Sequence, residues 1–201
     1  MAQIGFLGGT FDPPHNGHLS LALSLMEAHG LEEVWFCPAS TNPFKKDRLT
    51  TDPHHRLQMA RLATQDIPQF HVLDVEHQRE GVSYTIDTVR HLVAEESKKE
   101  SPRQIRLLLG TDTAAELPLW REVKEIILLA PPLVGSRSGD FPVLSPEASE
   151  EIFEALEKGR TKIPLLDISS TEIRRRIRSR LFCGHLLPSK VVDYIYNHHL
   201  Y

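Results

Sequence analysis

The chain predicts an α/β protein built on a parallel sheet, and three observations predict it. Strand and helix patterns alternate along all 201 residues. The strand candidates are short, nearly continuous apolar runs, Ile4–Leu7 and Ile105–Leu109 among them, which is the pattern of strands covered on both faces. The first of them passes straight into a helix through a glycine turn, Gly8-Gly9. Repeated alternation of this kind favours a doubly wound sheet with helices on both faces.

The elements follow in order. Gln3–Leu7 reads as a strand and Gly17–His29 as a helix, with apolar Leu19, Leu21, Ala22, Leu23, Leu25 and Met26. Gly30 ends that helix, since glycine tolerates the left-handed turn after a last helical residue. Val34–Pro38 is a second buried strand, and Ala39–Thr51, polar and punctuated by proline, is a loop. Asp52-Pro53 supplies an N-cap and a first-turn proline for a helix to about Thr64. Phe70–Leu73 is a short strand. Ser83 or Thr85 caps a helix to about Lys99, and Gln104–Gly110 is a third long strand. Val123–Ala130 reads as helix, Leu133–Gly135 as strand, Ser149–Lys158 as helix and Ile163–Ile168 as the final strand. Ser169–Leu181 and Ser189–His199 close the chain as helices, and this portion, about 169–201, is expected to pack on the same domain. The Gly-, Pro- and Ser-rich stretch Ser136–Pro146 is too short to separate two domains. The expectation is therefore one domain over 1–201 with a Rossmann-like architecture, in which ligands bind beyond the carboxyl ends of the strands. Gly8-Gly9, Pro38, Gly110 and Ile168 are placed at that edge.

Composition bounds the function. At 40% hydrophobic and 25% charged the chain is an ordinary globular one. A formal net charge of −4 supplies no global positive field for nucleic acid. No apolar run approaches the ~18 residues of a membrane helix, and the chain opens on a strand rather than a signal peptide. Cys37 and Cys183 are the only cysteines, too few for a disulfide framework or a four-thiolate zinc site. A cytoplasmic protein is expected, with no membrane partner and no nucleic-acid partner, and the sequence leaves open whether it forms a homo-oligomer.

The chemistry concentrates in Gly8-Gly9-Thr10-Phe11-Asp12-Pro13-Pro14-His15-Asn16-Gly17-His18. Glycines let backbone amides approach phosphate oxygens. A helix start carries unpaired N–H groups and a positive dipole end, which suits an anion. His15 and His18, three apart, present their rings on one face, each able to donate an N–H or carry positive charge. A His-x-x-His pair also occurs in metal sites, but those need a third and usually a fourth ligand, so no protein-held metal is expected. Neither Gly-x-Gly-x-x-Gly nor Gly-x-x-x-x-Gly-Lys-Ser/Thr follows the strand. The whole string resembles the (H/T)xGH nucleotidyltransferase superfamily in its Gly-Gly-Thr-Phe-Asp-Pro-x-His-x-Gly-His form, whose members transfer a nucleotidyl group from a nucleoside triphosphate to a phosphate or similar acceptor.

A second constellation, Ile168-Ser169-Ser170-Thr171-Glu172-Ile173-Arg174, is a helix start with a capping box (Ser169, Glu172) and a hydrophobic staple (Ile168, Ile173). One serine suffices to cap. Ser170, Thr171 and Arg174 add two hydroxyls and a guanidinium, a set suited to phosphate groups. The run Arg175–Arg180 reads as a solvated face, with Ile173, Ile177 and Leu181 as its apolar stripe. Ile-Ser-Ser-Thr-x-Ile-Arg is similar to the second signature of the same superfamily, which contacts ATP phosphates.

Further segments narrow the acceptor. Val82-Ser83-Tyr84-Thr85, Gly110-Thr111-Asp112, Leu117-Pro118-Leu119-Trp120 and Tyr194-Ile195, in this order, resemble the bacterial nicotinate-nucleotide adenylyltransferase family, from Ile4 to Tyr201. The resemblance implies ATP and nicotinate mononucleotide as substrates, deamido-NAD and pyrophosphate as products, and Mg²⁺ arriving with the triphosphate. It implies His15, His18 and Arg174 as the catalytic groups. It implies ATP contacts from Gly8, Gly9, Thr10, Phe11, His15, His18, Gly110, Asp112, Arg137, Ser170, Thr171 and Arg174, and contacts to nicotinate mononucleotide from Lys45, Tyr84, Thr85 and Trp120. Trp120 offers a flat face for a pyridine ring, Thr85 and nearby amides suit a carboxylate, and Asp112 suits ribose hydroxyls. The chain departs from the family at Asn42-Pro43-Phe44-Lys45, where a histidine is common, and at Ser136-Arg137-Ser138-Gly139, where an Arg-Arg-Pro-Gly run is common. Nicotinamide mononucleotide or phosphopantetheine adenylyltransferase, and a nucleotide sensor without turnover, stay open as alternatives at this point.

Overall fold

The computed structural model describes residues 2–41, 50–79, 81–136, 144, 148–164 and 166–201. Among them are six strands: β1 Gln3–Gly9, β2 Glu33–Pro38, β3 Phe70–Val72, β4 Gln104–Gly110, β5 Pro132–Ser136 and β6 Arg160–Lys162. Eight α-helices alternate with them: α1 Asn16–His29, α2 Pro53–Thr64, α3 Thr85–Ser97, α4 Thr111–Glu116, α5 Val123–Leu129, α6 Glu150–Lys158, α7 Ser170–Arg178 and α8 Ser189–Asn197. The strands form one six-stranded sheet in the order β3-β2-β1-β4-β5-β6. This is the α/β, Rossmann-like architecture that the alternation predicts.

The chain divides into two compact units. The first comprises Met1–Leu7, Leu21–Trp35 and Tyr84–Leu165, the second Gly8–Ser20, Phe36–Ser83 and Leu166–Tyr201. In the first unit β1 pairs parallel with β4, Ile4 against Ile105 and Phe6 against Leu107. β4 pairs parallel with β5, Leu108 against Leu133, and β5 with β6, Val134 against Arg160. All five residues of β5 are buried, which is why this strand reads as an unbroken apolar run rather than an alternating one. In the second unit Met59 and Ala63 of α2 share a core with Ile173 of α7, Val191 and Ile195 of α8, and Cys183 and Leu187 between those helices.

Local chemistry explains most boundaries. Asp52 caps α2, accepting from the His54 N–H at 2.8 Å, and Pro53 opens it. Gly30 follows α1 at φ +60°, the left-handed turn for which glycine is suited. Three expectations fail for identifiable reasons. The final strand is Arg160–Lys162 rather than Ile163–Ile168: Pro164 has no N–H to continue a ladder, and the paired residues are polar because β6 is an edge strand. Ile168 therefore ends no strand. α4 is an element to which the sequence patterns give no signal, starting directly at the end of β4 and burying Ala114. Neither Ser83 nor Thr85 caps α3. Tyr84 holds the N-cap position without a side-chain bond, and the Ser83 Oγ instead accepts from the Ser40 and Thr41 N–H groups at 3.1 and 3.3 Å.

Cys37 and Cys183 are free and buried. Among the described residues no helix is long and apolar enough to cross a membrane.

Candidate active site

The second unit contains the histidine loop. His15 is not on the first helical turn, as its spacing suggests, but caps it: its carbonyl accepts from His18 N–H at 2.9 Å and Leu19 N–H at 3.4 Å. In return the His15 N–H donates to His18 Nδ1 at 3.1 Å. This second bond is the return half of a capping box, with histidine where glutamate is usual, while the other half is made by the His15 backbone carbonyl rather than by its side chain. It has a chemical consequence. Nδ1 of His18 acts as the acceptor, so in the neutral ring the proton resides on Nε2, which is thereby set as a donor.

The two rings stack, centroids 3.7 Å apart and 24° from parallel. Phe11, buried and held at φ +50°, meets the His18 ring edge-on at 5.0 Å. A non-glycine residue in that backbone region costs about 1 kcal/mol or more, and here it turns the phenyl under the histidine. Gly17 completes the packing: a methyl in its place would lie 3.0 Å from His15 Nδ1 and 3.5 Å from Ile168 Cβ. His15 is 6% exposed and its Nδ1 is buried without a hydrogen-bond partner. Burial pushes its pKa down to about 4, so the ring is neutral at pH 7. Of the two roles its residue type allows, N–H donor or cation, the fold selects the donor.

The second constellation meets this loop directly. Ser170 Oγ donates to the Pro13 carbonyl at 2.9 Å, and Arg174 Nη1 donates to the Asp12 carbonyl at 2.7 Å. A second arm of Arg174 reaches Thr171 Oγ1 at 3.3 Å. Two motifs about 150 residues apart in sequence thus become hydrogen-bonded neighbours, and Ser170 and Arg174 fasten the loop as well as standing beside it. Ser169 caps α7 as expected, accepting from the Glu172 N–H at 3.2 Å. The Glu172 carboxylate does not complete the box, because Arg175 binds it bidentately at 2.7 Å. One first-turn N–H of α1 is also occupied, Asn16 donating to the Leu186 carbonyl at 2.9 Å.

Three residues that sequence reasoning missed organise the loop. Arg56, 1% exposed, donates to the Thr51, Thr10, Ala39 and Ser40 carbonyls at 2.9, 2.8, 2.6 and 2.8 Å. It ties the histidine loop to both flanks of the 42–49 segment. Burial lowers its pKa, opposed first by the charge of Asp12. Asp12, 4% exposed, accepts from the Tyr201 hydroxyl at 2.6 Å and from the Thr51 N–H at 3.4 Å. Burial, followed by the nearby Asp12 charge, raises the pKa of Tyr201, so it remains a protonated donor. The sequence signal for Arg56 is weak, an arginine in a polar helix. Asp12 lies within the recognised string without an assigned contact.

Other expected residues lie in the first unit. Tyr84 and Thr85 start α3, Gly110 ends β4 and caps α4, and Asp112 lies exposed in the first turn of α4. Trp120, half-buried, follows a 3-10 turn at Leu117–Leu119. The Arg121 guanidinium, next to Trp120, sits 4.8 Å from the centre of the Tyr84 ring. Gly8 and Gly9 are the last two residues of β1 rather than a turn after it, and Thr10, buried, follows them, all three in the second unit. Lys45, Phe44 and Arg137 lie outside the described residues. Among the described residues no cluster of three His, Cys, Asp or Glu side chains is arranged to hold a metal ion.

Comparison with known proteins gives a consistent picture. A family model described as cytidylyltransferase-like matches residues 6–176. A Bacillus subtilis (strain 168) protein named nicotinate-nucleotide adenylyltransferase is 38% identical over 202 residues, covering 100% of this chain and 99% of its own. A Roseiflexus sp. (strain RS-1) protein named as a probable nicotinate-nucleotide adenylyltransferase is 41% identical over 205 residues, covering 100% and 98%. The solved structure of Plasmodium falciparum nicotinic acid mononucleotide adenylyltransferase complexed with NaAD matches with a TM-score of 0.76 at 20% identity, over 100% of this chain and 97% of that one. At that identity the likeness speaks to the fold.

Proposed function

This chain belongs to the cytidylyltransferase-like family and, within it, to the nicotinate-nucleotide adenylyltransferases, and on that footing we propose that it transfers AMP from ATP to nicotinate mononucleotide. The products are deamido-NAD and pyrophosphate, and the step belongs to NAD biosynthesis. One structural observation carries the reading: Ser170 and Arg174 of α7 are hydrogen-bonded to the loop that bears His15 and His18, so both recognised motifs converge on one locus.

The chemistry is substitution at phosphorus. A phosphate oxygen of nicotinate mononucleotide attacks the α-phosphorus of ATP, the bond from that phosphorus to the β-phosphate's bridging oxygen breaks, and pyrophosphate leaves with the electron pair. A phosphate monoester has a second pKa near ~6 and is largely dianionic at neutral pH, so no side chain has to remove a proton. The protein's work is positioning and charge stabilisation. In this reading His18 donates from Nε2 to the phosphate chain where negative charge gathers, and His15 donates as a neutral ring. Arg174, held by the Asp12 carbonyl, presents its remaining N–H groups as a fixed cation, with Thr171 beside it. Gly8, Gly9 and Thr10 carry the backbone along the nucleotide, and Phe11 buttresses His18. Mg²⁺ enters as the companion of ATP, held by phosphate oxygens and water as this ion commonly is. Asp12, the loop's carboxylate, is already engaged by Tyr201 and Thr51.

In the first unit Trp120 stacks on the pyridine ring, Thr85 and the uncapped start of α3 receive the nicotinate carboxylate, and Asp112 and Gly110 serve the nucleotide's ribose. The Arg121 guanidinium over Tyr84 adds positive charge at the carboxylate end, which favours nicotinate over nicotinamide. Lys45 and Arg137 are proposed as phosphate and adenine contacts from the resemblance alone. Two free, buried thiols suit a cytoplasmic enzyme of one functional domain. The test is pyrophosphate release from MgATP with nicotinate mononucleotide, nicotinamide mononucleotide and phosphopantetheine supplied separately. Turnover with the first at a kcat/KM well above the other two is expected. Equal use of nicotinamide mononucleotide, or use of phosphopantetheine, overturns the assignment.

A further inference from the structure

We propose that Tyr201 is a positioning residue for catalysis, acting through Asp12 on the histidine loop. The loop's backbone is gripped at three carbonyls by three side chains: Thr10 by Arg56, Asp12 by Arg174 and Pro13 by Ser170. Each of these fixes a peptide group, and none holds a side chain of the loop. The Asp12 carboxylate is the loop's one buried charged side chain. Its short bond is the one from the Tyr201 hydroxyl, 2.6 Å, against 3.4 Å from the Thr51 N–H.

Position makes this bond consequential. Asp12 lies between Phe11, which supports the His18 ring edge-on, and His15, three residues on, whose carbonyl and N–H both bind His18. A buried polar group deprived of its partner shifts or takes up water. A shift of Asp12 moves the residues on both sides of it, and both of those residues hold His18. Tyr201 also serves no packing role that a phenyl ring could not fill, since Tyr201 flanks the same apolar core as Leu200 and Tyr194. Tyr201→Phe therefore removes the hydroxyl's bonds to Asp12 and Thr51 and little else.

The kinetic arm rests on the adenylyl-transfer reading above. Tyr201→Phe is expected to fold as the wild type does, to lose about ten-fold in kcat and to keep KM for ATP and nicotinate mononucleotide within about two-fold. In a double-mutant cycle with Asp12→Ala, most of the Tyr201→Phe loss is expected to vanish, because its short-bonded partner is gone. The second arm needs no turnover: the ring resonances of His15 and His18 in NMR spectra, assigned with His15→Gln and His18→Gln, are expected to move in Tyr201→Phe while those of His54, also in the second unit, stay in place. An unchanged kcat overturns the proposal, as do losses that multiply in the double mutant or ring resonances that stay at their wild-type positions. If Asp12→Ala does not fold, the resonances decide. If the wild type does not use nicotinate mononucleotide, the functional reading fails while the resonances still test this one.

Discussion

Replacing Gly17 by alanine separates stability from catalysis. The added methyl would lie 3.0 Å from His15 Nδ1 and 3.1 Å from its Cε1, where ordinary contact begins near 3.4 Å. The His15 ring must therefore retreat by about 0.4 Å, although its stacking on His18 already fixes its position. A misplacement of 1 Å in a catalytic group costs on the order of 10²-fold, so a shift of this size is worth roughly five- to ten-fold in kcat. The energetic balance runs differently. Alanine in place of glycine within a helix gains roughly 0.5–1 kcal/mol, and mild overpacking costs ~1 kcal/mol at its low end. The two nearly cancel, and for a chain of this size ~1 kcal/mol moves Tm by only about 2–4 °C. Steady-state pyrophosphate release and scanning calorimetry on the same preparation measure both quantities. The expected outcome is a Tm close to wild type with kcat reduced five- to ten-fold. Full wild-type kcat would refute the claim that the missing Cβ keeps the histidine pair in register.

Three other outcomes follow from the same geometry. His18→Ala removes a preorganised donor and the partner of the His15 N–H, so kcat is expected to fall by roughly two orders of magnitude or more; a loss under about three-fold in kcat would remove His18 from the chemistry. Arg56→Lys replaces a fork that satisfies four carbonyls, two of them in buried bonds, by an ammonium with three donors, and urea denaturation is expected to show a loss of about 2–4 kcal/mol, whereas a change within error would mean that water substitutes freely. His15 is held neutral to about pH 4 while an unfolded histidine takes up its proton near ~6.5. The unfolded state then binds more protons between those values, so this contribution is complete above pH 6.5 and is lost as pH falls towards 4. Its size is at most about 3 kcal/mol. Wild type and His15→Gln, compared by urea denaturation at pH 7 and pH 4.5, should differ in pH dependence by a measurable part of that amount; identical slopes would show that the ring is not desolvated.

The sequence by itself determined the architecture and the chemistry available. Short continuous apolar runs bounded by glycine and proline read as strands sheltered on both faces, and glycine before a helix start leaves backbone open to an anion, so the sheet, the alternating helices and the histidine loop are legible without coordinates. Ser169 and Asp52 are legible as caps for the same local reason: the bond that a cap makes reaches only two or three residues. What lies beyond that reach was decided by the tertiary structure. Spacing puts His15 and His18 on one face, but only the fold makes the His15 carbonyl a helix cap, stacks the two rings and buries the His15 ring so that it sheds its charge. Ser170 and Arg174 read as free phosphate ligands until the fold brings the Asp12 and Pro13 carbonyls to them. Arg56 and Tyr201 carry no pattern at all in the chain, because their partners lie between 5 and 189 residues away. β6 escapes the sequence pattern for a related reason: an edge strand buries too little to show an apolar signature. Local hydrogen bonding and hydrophobic periodicity are written in neighbouring residues, whereas desolvation and long-range hydrogen bonds exist only once distant segments have displaced water from between them.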